Sequence, residues 1–238
     1  MLKFLETQSN TLSENTFKDK FFGKKILVMG SGPSVTQRRW QNVDVDGICT
    51  TSFFYLNSEV SSLKNILHIT LSDIVDLKDE KLLAFLDLNL DCTIAFEPKH
   101  HPFYTSENFV WFFEKYKNRI VYYNTTYGMK EGVAGRLCYF VMSFAPSELY
   151  YVGIDGKSKN ELNDPPNAFR VNIRDADGYP QEDFVKSHDY FAKNIFEQSK
   201  LTSTKLFNIG EGLPYNLSTP YSTKYFPLDV DIKKIIQL

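Results

Sequence analysis

The fold of this chain is decided by the segment Lys25-Ile-Leu-Val-Met-Gly-Ser-Gly-Pro-Ser34, in which an apolar run leads directly into a glycine-rich turn. The apolar run is typical of a buried strand. The residues that follow, Val35 to Trp40, can begin a helix. The segment therefore predicts the first strand, turn and helix of an α/β unit.

The turn in this segment has the features of a phosphate-binding loop. Gly30 and Gly32 leave the backbone unobstructed, and Pro33 suits an early helical position. Ser31 and Ser34 place hydroxyls beside helix-start amides, which predicts a site for a phosphate or ribose. The third glycine of the Rossmann fingerprint and the lysine of the Walker loop are absent, so a structural turn without a ligand stays an alternative.

Working outward from this turn, short β-branched or apolar runs alternate with segments of helical periodicity. The predicted strands are Lys25 to Met29, Val45 to Thr50, Asn65 to Thr70, Asp91 to Phe96, Arg119 to Tyr123, Glu148 to Gly153 and Thr204 to Ile209. The clearest predicted helices are Asp79 to Leu86, Glu107 to Tyr116, Gly132 to Phe144 and Glu182 to Lys200. This alternation predicts a Rossmann-like parallel sheet of about seven strands with helices on both faces.

The 238 residues are interpreted as one nucleotide-sugar-binding domain over 1–238. Residues 157–181 form an exception to the alternating pattern, because they are rich in Asn, Asp, Pro and Gly and are too long for an ordinary connection. We expect this stretch to be a flap or lid over a site.

Composition excludes several classes of protein. The net charge of -2 gives no basic surface for a nucleic acid backbone. Three widely spaced cysteines, Cys49, Cys92 and Cys138, predict buried reduced thiols and a cytoplasmic protein. No stretch has the ~18 apolar residues of a membrane span. Peripheral membrane association and a homo-oligomer remain compatible with the sequence.

A second segment, from Glu131 to Asp155, supports the prediction of a ligand site at the glycine-rich turn. It predicts a helix that starts after Glu131 and Gly132 and a buried strand that ends at Gly153-Ile154-Asp155. In an open parallel sheet, ligands bind at the carboxyl ends of strands. The tips at Gly30 and Asp155 are therefore expected to face one crevice, where Asp155 either binds a ligand hydroxyl or caps the next turn.

Together with Ser187-His188-Asp189, these two segments resemble the layout of the bacterial sialyltransferase-like glycosyltransferases. The matching motifs are the Gly-x-Gly-Pro-Ser loop, the helix that begins Ser-Gly-Val in the family, and the Gly-Ile-Asp strand end. The resemblance implies a metal-independent transfer of a sugar, with a CMP-linked acidic sugar favoured as donor and a surface glycan precursor as acceptor. It also implies that His188 is the general base, whereas a cap at the start of the helix from Glu182 is the alternative role of this histidine.

Several positions depart from the family pattern. An Asn-Gln pair that contacts the cytidine nucleotide in the family corresponds to Thr51 and Ser52 here, and Glu131 replaces the serine of Ser-Gly-Val. The tyrosine after Gly-Ile-Asp is absent, and Lys157 lies nearby instead. The same opening loop occurs in pterin pyrophosphokinase-like proteins and in flagellin-modifying accessory factors. A magnesium-dependent pyrophosphokinase and a non-catalytic nucleotide-binding protein are therefore the alternatives.

The charged and metal-ligating residues complete the prediction. Lys157, Arg170 and Arg174 are candidates for contact with a phosphate or a sugar carboxylate. Asp44-Val45-Asp46 has the spelling of a metal-binding Asp-x-Asp, but it precedes a strand and would lie at the wrong edge of the sheet. His68, placed at a strand end, has no carboxylate spacing for a metal site. The sequence therefore predicts no metal and no cofactor.

Overall fold

In the computed structural model, the described residues are 2–4, 12, 14–37, 39–40, 43–72, 75–96, 106–125, 132–154, 191 and 194–210. Their strands form one sheet. They are β1 (Leu2–Phe4), β2 (Lys25–Met29), β3 (Gly47–Thr51), β4 (Ile66–Leu71), β5 (Thr93–Phe96), β6 (Ile120–Thr125), β7 (Glu148–Val152) and β8 (Lys205–Asn208).

The strand order across the sheet is β1-β6-β5-β4-β3-β2-β7-β8. Strands β2 to β8 are parallel, which confirms the seven predicted strands and the α/β class. The sequence did not predict β1, which pairs antiparallel with β6 at the edge. The chain builds outward from β2 to β6 and then returns to place β7 on the other side of β2. The topological switch point therefore lies between β2 and β7.

Helices cover both faces, as predicted. They are α1 (Glu14–Phe21), α2 (Ser58–Ser61), α3 (Glu80–Leu88), α4 (Glu107–Tyr116), α5 (Gly132–Met142) and α6, whose described helical residues are 191 and 194–202. Alternate residues of β2 enter opposite cores. Leu27 and Met29 pack in the core beneath α3 and α4, whereas Ile26 and Val28 pack beneath α1, α5 and α6.

The predicted helix from Val35 to Trp40 is wrong in kind, because a short 3-10 helix, Pro33–Gln37, occupies its first part. The indole Nε1 of Trp40 donates to the Val35 carbonyl at 2.7 Å. In a continuing α-helix, this carbonyl would accept from the amide four residues later. The buried indole therefore takes the acceptor that the next helical turn would need.

His68 lies within β4 rather than at its end, so its predicted placement was wrong. The fully buried ring stacks on Phe140 at 4.9 Å and meets Phe17 edge-on at 5.7 Å. Thr93 Oγ1 donates to the Leu67 carbonyl and lies 2.8 Å from Nδ1, so Nδ1 carries the ring proton. Burial lowers the pKa of His68 to about 3.

Acid should therefore destabilise the fold through His68. The unfolded chain binds a proton at the ordinary pKa of ~6.5, whereas the folded chain does not until about pH 3. Between pH 6.5 and pH 5 this difference removes about 2 kcal/mol of unfolding free energy. Urea unfolding as a function of pH measures this loss of unfolding free energy. The wild type is compared with His68→Phe, which keeps an aromatic ring but does not titrate. Parallel pH profiles for the two proteins would contradict the assignment.

Candidate nucleotide-binding site

The tips of β2 and β7 meet at the switch point of the sheet. Gly30 directly follows β2, and Gly153 directly follows β7. The Gly30 amide donates to the Val152 carbonyl at 2.8 Å, which extends the pairing of the two strands into the turns. In open α/β sheets, ligands bind outside the carboxyl ends of the strands at this point. The turn that the sequence selected therefore occupies the position where this fold offers a binding crevice.

Two further hydrogen bonds join the glycine-rich turn to Gly153. The Gly32 amide donates to the Gly153 carbonyl at 2.8 Å, and the Gly153 amide donates to Ser34 Oγ at 3.0 Å. Ser34 is fully buried, so its hydroxyl holds the two turns together. Ser31 and Gly32 remain partly exposed at the tip.

Both glycines at this junction are required by the close approach of the two backbones. A Cβ on Gly30 would overlap the Gly153 carbonyl oxygen and lie 3.0 Å from the Ala134 Cβ. Gly153 has φ +70°, and a Cβ there would lie 2.6 Å from Val35 Cγ2 and 2.7 Å from the Gly30 oxygen. Glycine is the residue type that accepts both the space and the left-handed backbone.

The carboxyl end of β3 adds a second polar group on the same side of the molecule as the glycine-rich turn. Ser52 is buried, adopts φ 40°, and its amide donates to the Thr70 carbonyl at 2.9 Å. Its Oγ lies 3.1 Å from Ser72 Oγ, just after β4. Strained residues of this kind concentrate at functional sites. Thr51 is buried beside it, and Ser72 is a site residue that the sequence did not single out.

The start of α5 lies beside the glycine-rich turn. Gly132 begins this helix, and the contact between Ala134 and the Gly30 position brings its first turn to the switch point. The two predicted segments therefore meet in space. The remaining predicted site residues lie outside the described residues: Glu131, Asp155, Lys157, Arg170, Arg174 and His188, together with the flap 157–181.

Asp44 and Asp46 are exposed immediately before β3, at the amino ends of the strands and therefore opposite the crevice. The Lys25 amide donates to Asp46 Oδ2 at 2.8 Å, so this carboxylate caps the start of β2. Their predicted placement away from the site is confirmed. Within the described part of the chain, no cluster of three or more His, Cys, Asp or Glu side chains could hold a metal ion.

The three cysteines are free and buried, as predicted. Burial raises the pKa of Cys92 to about 12 and raises the pKa of Cys49 and Cys138 well above the ordinary value. Protonated, inaccessible thiols are poor nucleophiles. The cysteines are therefore core residues.

Among the helices of the described residues, none combines the length and the hydrophobicity of a membrane-crossing segment.

Solved structures share this architecture. CstII, a sialyltransferase from Campylobacter jejuni determined in complex with the substrate analogue CMP-3FNeuAc, aligns with a TM-score of 0.51 and 16% identity, over 86% of this chain and 87% of that one. This chain has a sialyltransferase-like fold. The monofunctional alpha-2,3-sialyltransferase Cst-I from the same organism aligns with a TM-score of 0.50 and 13% identity, over 87% of this chain and 84% of that one.

The structural comparison confirms the sialyltransferase-like fold that the sequence motifs predicted. No protein-family model matches the sequence, and no curated protein matches it.

Proposed function

We propose that this chain is a glycosyltransferase that moves a sugar from a nucleotide-activated donor to a glycan acceptor. The favoured donor is a CMP-linked acidic sugar. The observation that carries the proposal is the junction of Gly30 and Gly153 at the switch point of a sialyltransferase-like sheet. A solved neighbour, CstII, was determined with a CMP-sugar analogue. The CMP-sugar analogue in that structure and the glycine junction at the carboxyl ends of β2 and β7 both support a nucleotide sugar as the ligand.

The proposed reaction needs a base and a means to stabilise the leaving phosphate. His188 would take the proton from an acceptor hydroxyl, whose oxygen then attacks the anomeric carbon of the donor sugar. The bond from that carbon to the phosphate oxygen breaks, and the nucleotide leaves with the negative charge. The Ser31 amide, at the partly exposed tip of the turn, and the cations Lys157, Arg170 and Arg174 would stabilise this charge.

Nucleotide binding is tested by a thermal-shift comparison of CMP, CDP, UDP, GDP, ADP and ATP. A ligand that binds only the folded state stabilises it by about 2.7 kcal/mol at 100 times its Kd. We expect CMP to raise the melting temperature most, and Gly32→Val to remove the shift because a branched side chain at the partly exposed tip of the turn would obstruct a bound phosphate. Absence of a shift with all six nucleotides would refute the proposed site.

An assay of sugar transfer in EDTA, run beside the thermal-shift comparison, separates the transferase from the other nucleotide-binding proteins. A pyrophosphokinase would respond to ATP and require magnesium, whereas the proposed transferase keeps its activity in EDTA. Loss of transfer in EDTA and its return with magnesium would contradict the metal-independent mechanism. Binding of CMP without detectable transfer would support a binding protein instead.

A further inference from the structure

The side chain of Ser34 lies between the glycine-rich turn and the carboxyl end of β7. It is 0% exposed, and its Oγ accepts from the Gly153 amide at 3.0 Å. Solvent does not reach this hydroxyl, and its oxygen is already engaged by the other turn. Any effect of Ser34 on a bound molecule would therefore pass through Gly153.

Three hydrogen bonds fix two successive peptide planes at the end of β7. The Val152–Gly153 peptide is held from both sides, because its carbonyl accepts from the Gly30 amide at 2.8 Å and its amide donates to Ser34 Oγ. The Gly153–Ile154 peptide is held through its carbonyl, which accepts from the Gly32 amide at 2.8 Å. A planar peptide that is bonded on one side can pivot about that bond, and a second bond on the opposite side removes this freedom. Ser34 therefore fixes the orientation of the last peptide of β7.

Gly153 does not hold this orientation by its own conformational preference. Its φ is +70°, and glycine occupies positive and negative φ with nearly equal ease. The observed conformation is therefore selected by the hydrogen bonds and by the contact with Val35, which leaves no room for a Cβ. Ile154 then packs against the core beneath α1, α5 and α6. The direction in which the chain leaves β7 depends on the bond to Ser34.

We propose that Ser34 is a positioning residue, which transmits the binding of a nucleotide phosphate at the glycine-rich turn to the residues that follow β7. This inference rests on the proposed function. A phosphate bound at the partly exposed Ser31 amide would order the turn, and the Ser34 bond would extend that order to Gly153. Asp155, a predicted ligand contact, comes two residues later in the sequence. A ligand that orders a region lowers the entropic cost of binding the next one, so the nucleotide would prepare the site for a second substrate.

Backbone amide exchange of the full chain, measured by NMR with CMP as the probe, tests this coupling. Each protein is given CMP at about 100 times its own Kd, where binding slows the exchange of coupled amides up to about 100-fold. In the wild type, CMP should slow exchange at both Gly32 and Gly153. In Ser34→Ala, CMP should still slow exchange at Gly32, but at least about tenfold of the slowing at Gly153 should be lost. The ratio of exchange rates with and without CMP is compared, because loss of a purely structural bond would raise both rates alike.

Two further substitutions separate the hydrogen bond from packing. Ser34→Thr keeps the acceptor oxygen and should restore the response of Gly153 to CMP. Ser34→Cys keeps the size of the side chain, but sulfur is a weak acceptor, so this variant should behave as Ser34→Ala does. Ser199→Ala is the matched control, because it also removes a buried hydroxyl, which donates to the Phe196 carbonyl at 2.7 Å near the end of α6. It should respond to CMP as the wild type does, and melting temperatures check that every variant is folded.

The outcomes distinguish failure of the coupling from failure of the proposed function. If CMP slows exchange at neither glycine in the wild type, the proposed nucleotide site is refuted and the coupling with it. If CMP slows Gly32 alone in the wild type, or slows Gly153 equally in the wild type and Ser34→Ala, the coupling is refuted and the nucleotide site stands. A wild-type response in Ser34→Cys would assign the role to packing. Loss of CMP binding by a folded Ser34→Ala protein would place Ser34 in the nucleotide site itself and overturn its positioning role.

Discussion

Replacing His188 by alanine is expected to lower the turnover of sugar transfer about 100- to 10,000-fold while donor affinity stays nearly unchanged. A neutral imidazole has a pKa of ~6.5 and can accept a proton near neutral pH. His188 follows the β7 tip in sequence, beyond the 157–181 segment. A group that acts in the transition state lowers the rate when removed but leaves ground-state binding of the nucleotide intact. Initial rates and nucleotide thermal shifts, measured on the same variant, give both quantities.

The control for this experiment is His101→Ala, because His101 has no proposed role in transfer. Its rate should match that of the wild type. A histidine that merely caps a helix start would instead cost about 0.5–2 kcal/mol of stability and little rate. A normal turnover in a less stable His188→Ala protein would therefore remove His188 from the mechanism.

The parallel sheet could be predicted because buried parallel strands leave a strong local signal. β2 and β7 are runs of apolar and aromatic residues, and they begin where the sequence predicted. The end of α4 was also predicted at Tyr116, because Phe109, Phe112 and Tyr116 recur at helical spacing on one buried face. In these segments the local pattern and the tertiary burial agree, so the sequence alone determined the element.

The sequence did not predict β1, α1 or the four-residue α2, and the stability of β1 and α1 depends on distant partners. β1 has three residues and pairs with β6, more than a hundred positions further along the chain. α1 has eight residues and buries only Phe17 and Phe21, so its periodic signal is short. Its aromatic side chains pack against His68, Phe140 and Phe144, which belong to other elements. Such contacts are tertiary and are invisible in a local pattern.

The candidate site shows the same division. The glycines were predicted from their neighbours in sequence, but the bond from Gly153 to Ser34 joins residues 119 positions apart. The Ser52–Ser72 contact joins the tips of two adjacent strands, and nothing in the local sequence distinguishes Ser72. A parallel sheet brings the residues that follow its strands to one end of the sheet, and the register of the strands determines which of them are in contact.

Replacing Gly153 by alanine should destabilise the fold by about 2–5 kcal/mol and weaken nucleotide binding. A left-handed backbone costs an alanine about 1–2 kcal/mol. Its Cβ would also press against Val35 and the Gly30 carbonyl, and such overpacking costs about 1–3 kcal/mol. Relief of this contact would displace the Gly30 turn at the switch point. Urea unfolding and nucleotide thermal shifts measure the two effects.

Gly23→Ala is a matched control, because Gly23 has φ +68° and a Cβ there would meet nothing within 4 Å. The two variants share the backbone strain of about 1–2 kcal/mol, so the difference between their unfolding free energies isolates the contact between the β2 and β7 turns. Gly23→Ala should keep nucleotide binding, because Gly23 precedes β2 and therefore lies at the other end of the strand from the candidate site. Equal destabilisation would show that the turns can separate without cost. Normal nucleotide binding by a strongly destabilised Gly153→Ala protein would show that the junction supports the fold and not the ligand.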